Sequence, residues 1–179
     1  MENHVIIYQT KEPKLHTLDA CIQDFTKRYK LDNTWYLYKT ANGKPIILNN
    51  DFYYSKTITA AFSTYAFSLN PISIDIQKFE ENIDYLKIAN RFYHHKEAEY
   101  VKHHGIQSFY EIWCLKECYI KYFDLRIEKD FQHFSVLELL ENRVKNLFYT
   151  PLPINSEYYG SLLTETPTTF EFVSIKTND

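Results

Sequence analysis

Two lysines and two glutamates sit inside FYEIWCLKECYIKYF, residues 109–123, a stretch otherwise dominated by apolar and aromatic residues. The lack of Gly or Pro and the return of apolar residues at every third and fourth position predict a helix. On such a helix Trp113, Lys116, Glu117, Ile120 and Lys121 share one side, while Ile112, Leu115, Tyr119 and Tyr122 or Phe123 lie largely on another. Glu117 and Lys121 stand four apart in the favourable order. The plain reading is therefore an exposed ion pair worth roughly 0.2–0.5 kcal/mol; the alternative is a charged face that meets a ligand.

A second acid points toward the alternative. In ISIDIQ, residues 72–77, the period of two sends Ile72, Ile74 and Ile76 to one face and Ser73, Asp75 and Gln77 to the other. The isoleucines claim the core side. Asp75 and Gln77 then offer oxygen atoms suited to a hard cation such as Mg²⁺, although a wet surface strand would carry the same pattern. His94, His95, His103 and His104, with Cys114 and Cys118, form a competing set. Adjacent histidines on a helix diverge by about 100°, and no standard Cys/His spacing is present, so a zinc site is not expected.

The elements that must position these groups are readable in outline. HVIIYQT predicts a strand, TLDACIQDFTKRYKL a helix opened by Thr17, and TWYLYKTANGKPIIL two strands joined at Asn42-Gly43. FYYSKTITAAFSTYAFSL alternates as two further strands, and Asn70-Pro71 turns the chain into ISIDIQKF. From Glu80 to Phe123 the period is helical, with a break at Gly105. The tail predicts strands at FQHFSV, EYYGSLLT and TTFEFVSIK, a short helix near VLELLENRVKN, and a break at Pro151 and Pro153. This order gives an α+β fold of two similar lobes meeting near residue 70, residues 1–70 and 71–179, the second carrying Asp75 and the charged helix.

Composition narrows the chemistry. A hydrophobic fraction of 45% with 17% aromatics requires a packed core, and 179 residues suit one domain or two small lobes. With only 3 Gly there is no glycine-rich phosphate loop, so a phosphate ligand needs side chains or a metal. The net charge of −3 gives no bulk attraction for nucleic acid. Three cysteines, an odd number, suit reduced thiols, and neither a signal-like start nor a run of 18 apolar residues appears; a cytoplasmic protein without membrane contact is expected.

In order, NGKP (42–45), SIDIQKF (73–79), IANRFYHHKEAEYV (88–101) and FYEIWCLKECYIKYF (109–123) resemble the 4′-phosphopantetheinyl transferase superfamily in its surfactin-type branch. That branch carries GKP, then SH, then DIE, then RFF…E, then FYxxWxxKEAxxK. The resemblance implies a pseudo-dimer of two α+β lobes with the active site between them. It also implies transfer of the 4′-phosphopantetheine arm of coenzyme A to a serine of an acyl or peptidyl carrier protein, with release of adenosine 3′,5′-bisphosphate. A monomer is expected, since one chain supplies both lobes.

By position, the resemblance makes Asp75 and Glu117 the Mg²⁺ ligands, with Gln77 beside them. Lys121 is expected at the bridging phosphate, Lys116 on the phosphate side, and Trp113 as a wall of the pocket. Glu117 or a bound water is the expected acceptor of the serine proton, because a lysine near its normal pKa of ~10.4 is a poor base. Lys44 and Pro45 of GKP, with Ser55 and Lys56 of YYSKT, are expected on coenzyme A, and Lys27 and Arg28 on its 3′-phosphate. Tyr93, Phe109 and Tyr110 are candidates for a rim facing the carrier. Three positions depart from the pattern: Gln77 replaces a glutamate, Lys56 stands at the motif histidine, and KYFDLRI lacks the glycine that follows the last lysine. These departures support a second reading, a degenerate relative that binds coenzyme A or a carrier protein without transferring anything.

Overall fold

The computed structural model describes residues 3–11, 17–48 and 51–174. It is an α+β protein with three sheets. The first holds β4 (Tyr53–Ile58), β5 (Ser63–Ser68), β1 (Asn3–Thr10) and β9 (Thr168–Ser174) in that order, with β9 parallel to β1 and the other pairs antiparallel. The second is the hairpin of β2 (Tyr36–Lys39) and β3 (Pro45–Leu48), turned at Gly43 with φ 87°, a left-handed conformation that glycine adopts without strain. The third runs β6 (Ile72–Lys78), β8 (Tyr158–Thr164), β7 (Phe148–Pro151). The chain thus ends in the sheet where it began.

Strand β5 is buried along its whole length and β1 along most of it, and helix α1 (Thr17–Tyr29) covers one face with Cys21, Ile22 and Phe25 against Phe52 and Phe67. Helices α2 (Tyr85–Phe92), α3 (His95–His104) and α4 (Ile106–Phe123) follow β6. Asp84 caps α2 through the Lys87 N–H, and His94 with Glu97 forms a capping box on α3. Gly105, at φ 83°, separates α3 from α4 as the break predicts. Helix α4 lies against β6 and β8 and is buried nearly all round, so its charged residues are interior or line cavities.

The two larger sheets meet edge to edge, β4 against β6. The backbone N–H groups of Ile74 and Ile76 on the free edge of β6 donate to the hydroxyls of Ser55 (3.1 Å) and Thr57 (3.3 Å) on β4. These two side chains replace the missing strand partner and close an edge that would otherwise be open.

Three sequence expectations change. FQHFSV is a turn followed by an irregular segment: Phe131 and Phe134, three residues apart, both pack on the α4 side instead of alternating across a sheet. The segment before it is a short helix, α5 (Ile127–Asp130), and α6 (Leu137–Leu140) is the short helix expected in VLELLENRVKN. Pro151 closes β7, tolerated because β7 is an edge strand. Among the described residues no helix is long and apolar enough to cross a membrane. Replacing Ser55 with Ala leaves the Ile74 N–H buried without an acceptor; a loss of about 1–3 kcal/mol is expected in urea unfolding.

Candidate active site

Lys121 stands where the two sheets meet. Its Nζ donates to Asp75 Oδ1 (2.7 Å), to the carbonyl of Ile74 on β6 (3.1 Å) and to the carbonyl of Lys56 on β4 (3.3 Å). An ammonium has three N–H donors, so each has an acceptor. Thr57 also donates to Asp75 Oδ1, at 2.9 Å. The exposed Glu117–Lys121 pair of the plain reading is not formed; the lysine reaches across to β6. Burial pushes the Lys121 pKa down, but the Asp75 carboxylate more than offsets this, so the ammonium holds its proton more firmly than usual.

Glu117 lies one turn before Lys121 on the same side of α4. Burial, and then the negative charge of Asp75, raise its pKa to about 7, with Lys121 opposing in part. Two carboxylates therefore face one place and repel each other there. Among the described residues no third His, Cys, Asp or Glu joins them to make a metal-binding cluster. The pair nonetheless fits Mg²⁺, which uses one or two carboxylates and takes its remaining ligands from phosphates and water. The repulsion between Asp75 and Glu117 is what such a cation relieves.

Glu117 and Lys121 open into a cavity of ≈ 570 Å³ whose other walls include Lys44, Pro45, Ser55, Lys56, Asp124 and Arg126. The tip of the β2–β3 hairpin forms the far side and is fastened to the end of α4. Thr40 donates to Asp124 Oδ1 (2.9 Å), Asn42 Nδ2 to the Asp124 carbonyl, and Lys44 Nζ to the Tyr122 carbonyl (3.0 Å). Lys44 is half-buried, which lowers its pKa against the opposing pull of Asp124. Asp124 caps α4 in the left-handed conformation, φ 54°. It occupies the conformation that glycine adopts most readily, which gives the missing glycine of KYFDLRI a structural counterpart.

The remaining predicted site residues are dispersed. Lys116 is fully buried and does not reach the cavity: its Nζ pairs with Glu97 Oε2 (2.7 Å), donates to the Phe134 carbonyl (2.8 Å) and lies over the Phe134 ring. Neighbouring residues on a helix diverge by about 100°, so Lys116 turns toward α3 where Glu117 turns toward β6. A phosphate-side role for Lys116 is corrected to a structural one. Trp113 and Gln77 line a separate groove of ≈ 170 Å³ beside Phe109 and Tyr110. Ser55 lines the main cavity, but its hydroxyl is taken by Ile74. Lys27 and Arg28, at the end of α1, do not line it, and Arg28 pairs with Asp24 and Glu171, both at 2.6 Å. Tyr93, Phe109 and Tyr110 are buried and form no exposed rim.

Sequence reasoning missed Glu97, Thr57, Asp124 and Arg126. Glu97 had a signal, the His94-x-x-Glu97 spacing of a capping box. Asp124 and Arg126 were marked only by the absent glycine.

Two comparisons with known proteins bear on this arrangement. A family model described as the 4′-phosphopantetheinyl transferase superfamily matches residues 71–170. The 4′-phosphopantetheinyl transferase gsp of Aneurinibacillus migulanus is 35% identical over 89 residues, which make up 46% of this chain and 35% of that protein. The family match contains Asp75, Glu117 and Lys121 and leaves out the hairpin and β4.

Two outcomes are expected here. Lys116→Met strands the Glu97 carboxylate in the core and costs about 3–5 kcal/mol in urea unfolding. Glu117 holds a proton in the folded state up to a pKa of about 7 against an ordinary 4.5. Its contribution to stability is therefore full below pH ~4.5 and lost as the pH rises through ~7. In chelator, Glu117→Gln should gain on the wild type across that window by on the order of 1–2 kcal/mol in thermal unfolding, and added Mg²⁺ should shrink the gain.

Proposed function

The chain belongs to the 4′-phosphopantetheinyl transferase superfamily, and from that premise we propose that it transfers the 4′-phosphopantetheine arm of coenzyme A to a carrier-protein serine. The observation that carries this reading is that Asp75 bonds Lys121 and raises the pKa of Glu117, while Glu117 and Lys121 themselves line a cation-lined cavity between β4, the hairpin and α4. In the proposed reaction the serine oxygen attacks the pyrophosphate phosphorus that bears the arm. A phosphodiester bond forms, the bond from that phosphorus to the bridging oxygen breaks, and adenosine 3′,5′-bisphosphate leaves with the electron pair.

Glu117 takes the serine proton. A carboxylate can accept that proton near neutral pH, whereas the firmly protonated Lys121 cannot. Lys121, firmly protonated, donates an N–H to the leaving oxygen and balances its charge. Lys44 and Lys56 attract the nucleotide end of the substrate. Asp75 and Glu117 would hold a Mg²⁺, which would supply further neutralisation of the pyrophosphate oxygens. The two-lobed, monomeric architecture, with residues 1–70 and 71–179 as lobes, belongs to the same proposal. So does a cytoplasmic location, supported by three free, buried cysteines.

One observation favours the second reading, a relative that binds coenzyme A and transfers nothing: all three Lys121 donors are already engaged within the protein. Intact-mass spectrometry separates the two. A carrier protein incubated with coenzyme A, Mg²⁺ and this protein should gain the mass of a phosphopantetheine group, and the gain should vanish with Asp75→Ala, with Glu117→Ala and in chelator. No gain across acyl and peptidyl carriers, with coenzyme A binding intact, would select the binder.

A further inference from the structure

The main cavity has one cation, Arg126, that none of the family motifs supplies. Four cations, Lys44, Lys56, Lys121 and Arg126, face it against two carboxylates, Glu117 and Asp124, in a chain whose net charge is −3. Three of the cations are engaged or explained above. Arg126 differs: its Nε donates to the side-chain oxygen of Asn42 (2.7 Å), one Nη reaches the Ala41 carbonyl at 3.5 Å, and among the described residues no carboxylate pairs with it. A guanidinium carries five N–H donors, so three remain, held in a fixed fork on an uncompensated charge. Asn42 is a neutral partner that aims the group without cancelling it.

Arg126 also lies far from the reacting groups. From Glu117 to Phe123 the helix rises ~9 Å, and Arg126 follows beyond its end. We propose that Arg126 is a phosphate-binding residue at the hairpin end of the cavity, holding the nucleotide end of the ligand, and that Asp124 is the residue that positions it. Asp124 does so by its left-handed cap, which sends the chain back toward the hairpin, and by accepting from Thr40, which fixes the hairpin tip and with it Asn42. A chain that keeps glycine at this place makes the turn but has no carboxylate for Thr40. The loss of that motif glycine and the presence of Arg126 two residues later are thus one device. It rests on the cavity being the nucleotide site of the proposed reaction.

The test is calorimetric titration with adenosine 3′,5′-bisphosphate and, separately, with coenzyme A. Arg126 is exposed, so Arg126→Gln should fold normally. It should weaken both ligands about tenfold to a hundredfold, as expected for loss of a charge-assisted bond. Arg126→Lys should recover part of this. Asp124→Gly should weaken both ligands less and raise the KM for coenzyme A more than it changes kcat, while Asp124→Asn, which still accepts from Thr40, should bind both ligands more tightly than Asp124→Gly. If Arg126→Gln binds adenosine 3′,5′-bisphosphate as tightly as wild type, the assignment is overturned whatever the transfer assay shows. If wild type binds the bisphosphate through Arg126 but modifies no carrier, the transferase reading fails and the clamp stands. Binding of neither ligand by wild type overturns both.

Discussion

A single ammonium group joins the two larger sheets. Lys121 bonds one carbonyl on β4, one carbonyl on β6 and the carboxylate of Asp75. The hydroxyls of Ser55 and Thr57 complete the seam by accepting from the N–H groups of β6. Two sheet edges that cannot pair by backbone, because their strands belong to different sheets, are thereby satisfied by side chains. Buried backbone polar groups need such partners, and here the partners are also the groups that line the cavity. Geometry of the site and integrity of the fold rest on the same bonds.

This explains why a core helix carries charge in two directions. On one side of α4, Lys116 is neutralised by Glu97, and that glutamate also caps α3 and accepts from the Val136 N–H at 2.7 Å. Its charge is consumed within the protein and anchors the irregular segment around Phe134 to two helices. On the other side, Glu117 and Asp75 share one region with one lysine, so negative charge there exceeds positive. The first arrangement is closed. The second is left short of a cation, and burial first, with the charge of Asp75 second, makes Glu117 hold its proton up to about pH 7.

Much of the positioning was legible in the sequence because it is periodic. The strand face of Asp75, the helix of Glu117 and Lys121, the Asn42-Gly43 turn and the break at Gly105 all follow from local spacing. What escaped was set by distant partners. Sharing a broad helix side with Glu117 said nothing of where Lys116 ends, because its direction is fixed by Glu97, nineteen positions earlier. Lys27 and Arg28 are basic and local to a helix end, but β9 brings Glu171 to Arg28 from the other end of the chain. FQHFSV reads as a strand only if spacing is ignored between Phe131 and Phe134, which the aromatic cluster around Lys116 claims together. A left-handed residue that is not glycine, Asp124, is marked in the sequence only by the motif glycine that is absent there.

The cavity lies at the C-terminal end of α4, which is an unfavourable place for an anion. The last carbonyls of a helix carry partial negative charge, equivalent to roughly half an elementary charge, and would repel a phosphate. In this chain two of those carbonyls, Ile120 and Tyr122, are covered. Lys44 donates to Tyr122, Asn42 donates to Asp124, and the N–H groups of Asp124 and Leu125 both turn back to Ile120. The hairpin therefore brings its cations to the cavity and also masks the dipole that would oppose a ligand there. A hairpin with two exposed strands and little core of its own is held in place by these same caps. Its attachment and the electrostatics of the site are one set of hydrogen bonds, so a change that loosens the hairpin from Asp124 also uncovers the negative end of the helix.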